Sequence, residues 1–507
     1  MAPAATTRRF GYARVSFAFL VLALAALSMA DLKFGALNPW SELGRLLRGL
    51  IEPDLLVVEA RSIANTIAFA VLGVGAGASL GFVFALFFAR LRAVRLVAAF
   101  LRSVHELFWA LLLMQVWGLS PVTGVLAIAL PYTGIFAKVF SEIIEEADLA
   151  AVRVLPAGTS GISAFAFARL PELAKPFGDY IRYRLECGLR STLVLGFIGL
   201  PTIGFNLESF FRQGDYRQAA ALMFVFYALI GTRRLWARPS TVPLLLLLSL
   251  LVLPAGLSGG SPLANLARFF GHDIVPLPLR NADLAAWANW AELGNWACGI
   301  LARQIVPGVA QTLILSQISV VLMAALSLFL FPLVSRRFAG ALGRPIGRAL
   351  LVAVRSTPEY MIAYVLLQVF GVSMLPAIFA LSVHNGAVVG YLLGRLADTL
   401  EYRPDAPCGL NLYFYETVPR LYGQFLAYAL YRWEIILRES AIFGMLGITT
   451  LGFYIDGAIS ELRMDVALVL IFATALLSMA VDAFSRWLRA LLRIDPLPVH
   501  LSAADAD

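Results

Sequence analysis

Apolar runs separated by short polar stretches set the pattern of this chain. They fall near 15–31, 62–89, 97–118, 122–140, 181–200 and 216–232. A second set falls near 241–257, 306–334, 349–371, 373–394, 434–453 and 465–488. Many reach the roughly 20 residues that a helix needs to cross a bilayer. The pattern predicts an all-α polytopic membrane protein with about 12 transmembrane helices, six and six.

The polar interruptions repeat. Residues 183–196 read YRLECGLRSTLVLG and residues 431–444 read YRWEIILRESAIFG. Both hold Tyr-Arg-x-Glu-x-x-x-Arg and then a Gly six residues on. At the same offset, Pro171, Tyr180, Gly199 and Gly204 match Pro419, Tyr428, Gly447 and Gly452. Earlier in each half, Arg102-Ser103 and Glu106 match Arg355-Ser356 and Glu359. The repeat defines two parallel halves, 1–240 and 241–507. Parallel repeats are expected to pack about an axis along the membrane normal, with a pathway between them.

Composition agrees. The 507 residues are 60% hydrophobic and 14% charged, where soluble proteins carry about 25% charged residues. Mean hydropathy is +0.80. The net charge of +8 reads as Arg at cytoplasmic helix ends rather than as a nucleic-acid surface. Runs such as Arg90/Arg92/Arg95, Arg233/Arg234/Arg238 and Arg336/Arg337/Arg344 fall on one side if both termini are cytoplasmic. The opposite loops hold 10 of the 40 basic residues. The expected location is therefore the cell membrane, multi-pass. The N-terminal run resembles a signal peptide, but an equivalent run at 241–257 favours an uncleaved first helix. The outer loop at 258–305, with Trp287, Trp290 and Trp296, suggests an interfacial helix, and residues 32–60 look like its counterpart. A short C-terminal tail, LSAADAD, closes the chain. Three isolated Cys and four His show no disulfide or metal-ligand spacing.

Charged residues inside apolar helices are costly unless paired or wet. Glu186 and Arg190 stand four apart and share a helix face, as do Glu434 and Arg438. They either form ion pairs that lock the bundle or line a cavity where the arginines contact an anion. Arg184 and Arg432 read as snorkelling to the interface. Arg102, Ser103 and Glu106, with Arg355, Ser356 and Glu359, open the third helix of each half and mark an entrance or gate, or simple helix-start chemistry. Tyr132-Thr133-Gly134 and His384-Asn385-Gly386 sit in the fourth helices. His384 and Asn385 need buried partners and are candidates for the path. The glycines around 196–204 and 444–452 suggest a break or tight packing. The inner loops, about 141–180 and 395–428, carry Gly158 with Pro171 and Gly409 with Pro419. Being present twice, they suggest two docking points for a two-copy partner, or ordinary connectors.

The Tyr-x-x-Tyr-Arg-x-Glu-x-x-x-Arg stretches (180–190, 428–438), followed by Gly-x-x-Gly (Leu-Gly-x-x-Gly in the first half), resemble the permease subunit of a binding-protein-dependent ABC importer of the phosphonate/phosphite/phosphate branch. The likeness covers about 50–240 and 295–493, two permease units in one chain. It implies a type I importer fold, with the Gly…Leu-Pro loops as coupling loops. It also implies a cytoplasmic ATPase homodimer that binds ATP and Mg, an extracytoplasmic substrate-binding protein, membrane lipid, a small oxyanion substrate and alternating access. The chain departs from the family pattern: Val152-Arg153-Val154 stands where Glu-Ala-Ala is usual, and Glu439 stands where the first half has Ser191. There is no G-x-x-x-x-G-K-[ST] loop, so ATP hydrolysis is expected in a separate subunit. The chain is expected to be no enzyme and to carry no cofactor or metal of its own. An ion-gradient-driven secondary transporter of a small anion is the alternative, with Glu186 or Glu434 as the coupling carboxylate.

Overall fold

A computed structural model describes residues 3–35, 38–147, 153–156, 158–253, 261–280 and 287–494. Val152, His500 and the C-terminal tail lie outside the described residues. No strand occurs among the described residues. The main helices are α1 (Pro3–Leu27), α2 (Pro39–Ile51), α3 (Ala60–Phe88), α4 (Arg92–Ser103), α5 (Glu106–Trp117), α6 (Pro121–Glu146), α7 (Leu170–Val194), α8 (Ile203–Gln213) and α9 (Tyr216–Gly231). They continue as α10 (Val242–Val252), α11 (Trp287–Ile300), α12 (Val306–Leu330), α13 (Arg336–Ser356), α14 (Glu359–Phe370), α15 (Leu375–Asp398), α16 (Val418–Glu439), α17 (Leu451–Ser460) and α18 (Met464–Leu492). Among the described residues, five helical spans are long and apolar enough to cross a membrane, and nine if each of four bent pairs is one span. The chain is an all-α, multi-pass membrane protein.

The third apolar run of each half is bent rather than straight. α4 and α5 meet at 96°, and α13 and α14 at 91°. The cause is local. His105 is extended and caps α5 through its ring, and Pro358 holds the matching position before α14. Ser103 and Ser356 therefore end the first limb, while Glu106 and Glu359 open the second.

The fifth run breaks as well, α7 to α8 by 57° and α16 to α17 by 47°. Gly199 and Gly447 stop the preceding turns at φ +89° and +84°, where a side chain would strain the backbone. Each new helix is then capped from a distant helix. The Thr66 hydroxyl of α3 accepts from Ile203 N at 2.9 Å. The Thr312 hydroxyl of α12 accepts from Leu451 N at 3.0 Å. Both hydroxyls also donate to the carbonyl four residues back, at 2.7 Å.

The chain forms two compact units. One is built on Arg48–Phe269, the other on Met1–Leu47 with Phe270–Pro498. These do not follow the halves 1–240 and 241–507. The first helix of each half packs with helices of the other half: α1 lies on α12, and α10 on α3. Gln317 Nε2 donates to Phe19 O at 3.0 Å, and Phe19 meets the Trp433 ring edge-on.

Within each unit the same helix pair is pressed together through glycines, which permit close backbone approach. In the first unit the glycines are on α3. A Cβ at Gly73, Gly77 or Gly81 would stand 2.7, 2.8 or 2.4 Å from Ile128, Tyr132 or Phe136 of α6. In the second they are on the other member, α15. A Cβ at Gly386 or Gly390 would stand 3.1 Å from Leu326 or Leu330 of α12.

Candidate functional site

Three helices of each unit bring polar side chains to one place: the start of α5 or α14, the middle of α6 or α15, and the end of α7 or α16. In the first unit these are Glu106, Tyr132 and Ser191. The Ser191 hydroxyl donates to Glu106 Oε1 at 2.9 Å, and Tyr132 Oη lies 3.4 Å from Ser191 Oγ. His105 Nδ1 accepts from Leu107 N at 3.2 Å. The neutral ring therefore carries its proton on Nε2, which is 3.9 Å from Glu106 Oε2.

The second unit places Glu359, His384 and Glu439 at the matching positions. His384 is 1% exposed and Glu359 8%, while Glu439 is half-buried. One ligand atom of each lies within 4.8 Å of the other two. His384 Nδ1 is 2.8 Å from Thr357 O. A carbonyl only accepts, so Nδ1 carries a proton and Nε2 is the nitrogen left for other chemistry. Asn385 Nδ2 donates to Glu439 Oε2 at 3.0 Å, and Asn385 Oδ1 accepts from Arg432 at 3.2 Å. Arg432 is thus tied into a buried polar network. Its counterpart Arg184 donates to Tyr180 Oη at 2.8 Å and lies over the Tyr180 and Tyr183 rings.

The structure thus brings together Glu106 or Glu359 with the fourth-helix positions. It adds Ser191 and Glu439, which the sequence shows only as a mismatch between halves. Arg190 and Arg438 immediately precede them and are half-buried. Arg190 Nη2 lies 3.4 Å from Cys187 Sγ. Glu186, 7% exposed, pairs with Arg233 at 2.8 Å. Arg233 had marked only topology in the sequence. Glu434, also 7% exposed, lies within electrostatic reach of Arg489. Arg355 covers the Tyr391 ring at 4.5 Å. Ser103 donates to Phe100 O at 2.8 Å. Arg102 is half-buried at the end of α4.

The loops at about 141–180 and 395–428 lie at the far ends of α7 and α16. Pro171 is 20 residues from Ser191, or roughly 30 Å along a helix. The loops share one build. Gly158 and Gly409 have positive φ. Short helical turns follow at Gly161–Ser163 and Gly409–Asn411, then wide π-type turns at Ala164–Arg169 and Leu412–Thr417. Pro171 and Pro419 stand in the first turn of the long helices. At matched positions both loops expose large side chains: Ile162 (85%) and Phe167 (83%), Leu410 (74%) and Tyr415 (77%).

A phosphate-import permease protein of Mycolicibacterium smegmatis (strain ATCC 700084 / mc(2)155), PhnE, is 26% identical over 427 residues, which cover 78% of this chain and 77% of that protein. The chain's homologues are transport permeases. A phosphite transport system permease protein of Stutzerimonas stutzeri, PtxC, is 28% identical over 234 residues, 44% of this chain but 85% of that permease. The permease PhnE2 of Escherichia coli (strain K12), named as a putative cryptic phosphonate system component, is 28% identical over 107 residues, 21% of this chain and 88% of that protein. No family model and no solved structure matches the chain.

Proposed function

We propose that the chain is the transmembrane pore subunit of an ATP-driven importer of phosphonate or a related oxyanion, phosphite or phosphate. In this reading a cytoplasmic ATPase homodimer binds ATP and Mg and docks on the two inner loops. An extracytoplasmic binding protein delivers the substrate, and both termini are cytoplasmic. The observation that carries the reading is the pair of like-built inner loops. Each offers an exposed aliphatic and an exposed aromatic side chain at matched positions. Each continues as one rigid helix to a buried polar cluster. A two-copy partner pushing on both loops has a direct mechanical line to both clusters. The names of the homologues supply the substrate class. Arg190, Arg438 and Arg432 suit it, because a guanidinium fork pairs with two oxygens of such a headgroup.

The test is reconstitution of the chain with its ATPase and binding protein in liposomes. Labelled phosphate and a phosphonate are the substrates, for the wild type, Arg190→Gln and Arg438→Gln. Uptake should require ATP and fall in both variants while the complex still assembles. Uptake driven by a proton gradient without ATP overturns the reading in favour of a secondary transporter. A complex that assembles with Phe167→Asp and Tyr415→Asp as well as with the native loops removes the docking role.

A further inference from the structure

We propose that Glu359, His384 and Glu439 form a binding site for one divalent transition-metal cation, of the Zn²⁺ or Mn²⁺ class, in the second unit only. The three ligand atoms already lie within 4.8 Å of one another. A tetrahedral cation about 2.1 Å from each draws them to roughly 3.4 Å apart, a movement within side-chain reach. The donor set, one imidazole and two carboxylates, mixes the ligands preferred by zinc and by manganese. His384 is held as metal-bound histidines are. Its Nδ1–H donates to a backbone carbonyl, which fixes the ring and leaves Nε2 for the ion.

The second carboxylate is held in place without being enclosed: Glu439 accepts from a neutral amide, Asn385 Nδ2, whose own oxygen accepts from Arg432. Ser356, next to the histidine's anchor Thr357, is 3% exposed and its hydroxyl makes no hydrogen bond among the described residues. The matching Ser103 hydroxyl is satisfied by Phe100 O. Half-buried Glu439 gives an ion access from one side. In the first unit, Tyr132 and Ser191 replace the histidine and the second carboxylate, so no such donor set exists there.

The site is independent of the substrate proposed above, and binding alone tests it. Purified full-length chain in detergent is titrated with Co²⁺ and followed by visible absorption, with Zn²⁺ as competitor. One Co²⁺ per chain should bind, be displaced by Zn²⁺ and show no thiolate charge-transfer band. Glu439→Ser, which installs the first unit's residue, and the near-isosteric His384→Gln should each weaken binding at least 10-fold. Glu439→Gln, which keeps the shape and the Asn385 contact, should do the same in protein that remains monodisperse. No stoichiometric Co²⁺ uptake by the wild type overturns the proposal and leaves the cluster a protein-internal ion pair. Binding of unchanged affinity in all three variants, or binding through thiolate, overturns it too.

Discussion

The first unit places hydroxyls where the second places a carboxylate and an imidazole, although matching helices supply both clusters. Ser191 donates to Glu106, and the Tyr132 hydroxyl lies 3.4 Å from that of Ser191. At the matching places Glu439 and His384 surround Glu359 with a further carboxylate and an imidazole. The helix pair behind each cluster differs in a parallel way. The glycines that admit close approach are on α3 in one unit and on α15 in the other. Duplication preserved the frame: the bends, the glycine breaks and the threonine caps. The residues inside the frame diverged, because once both copies sit in one chain each position can change alone. A pore assembled from two identical subunits has no such freedom.

The sharpest way to break this comparison is to fill the glycine contacts. Gly81→Leu and Gly390→Leu should each cost about 3 kcal/mol or more by overpacking. Gly81→Leu should be the worse, since its Cβ would stand 2.4 Å from the Phe136 Cβ and 3.1 Å from backbone, against 3.1 Å from a Leu330 side chain for Gly390. Thermal denaturation of the detergent-purified protein would report this. The reverse order means that α12 and α15 are the tighter pair.

Next is the buried acid in each fifth helix. Arg233→Gln leaves Glu186 without its 2.8 Å partner and should cost about 1–3 kcal/mol. That is below the range for fully buried pairs, because Arg233 keeps some exposure. A double-mutant cycle with Glu186→Gln should recover most of the loss. A cycle with no coupling would show that the pair is idle.

Ser191→Ala removes the hydroxyl that donates to Glu106. It should cost about 1–2 kcal/mol, given the usual worth of hydrogen bonds between membrane helices and the charge on the acceptor. Asn385→Ala tests the second unit's counterpart, the link from Arg432 to Glu439, and should cost a similar amount. The smallest effect concerns what the units share. Thr66→Val and Thr312→Val each remove one distant helix cap, at about 1 kcal/mol. Their costs should agree closely, and a wide gap would mean that the two breaks are held differently.

Much of the frame was legible in sequence, because apolar length and glycine position are local properties. Among the described residues, each of the twelve apolar runs is mainly helical. The glycines read as a break prove to be both a break, at Gly199 and Gly447, and a tight contact, at Gly196 with Gly204 and Gly444 with Gly452. The right-angle bends were less visible. Pro358 signals one, but His105 acts through a ring cap that spacing does not reveal. Pairing was hidden wherever it crosses helices. The four-residue spacing suggested a partner for Glu186 within its own helix, and the structure adds Arg233 from beyond α9, which no spacing reveals. Glu359, His384 and Glu439 stand 25 and 55 positions apart, and only the folded chain brings them together. The exchange of first helices was hidden for the same reason, since the apolar part of α1 (17–27) and all but one residue of α10 carry no polar pattern that names a partner.

That exchange has a cost in time. α1 leaves the ribosome long before α12, on which it rests and which begins 279 residues after α1 ends. At 5–20 residues per second, synthesis of that interval takes roughly 15–55 s. Throughout it the first helix has only lipid, or an insertion factor, for company. The contact between α1 and α12 therefore forms only once the second half has begun to emerge, so quality control during biogenesis meets α1 before its neighbour exists.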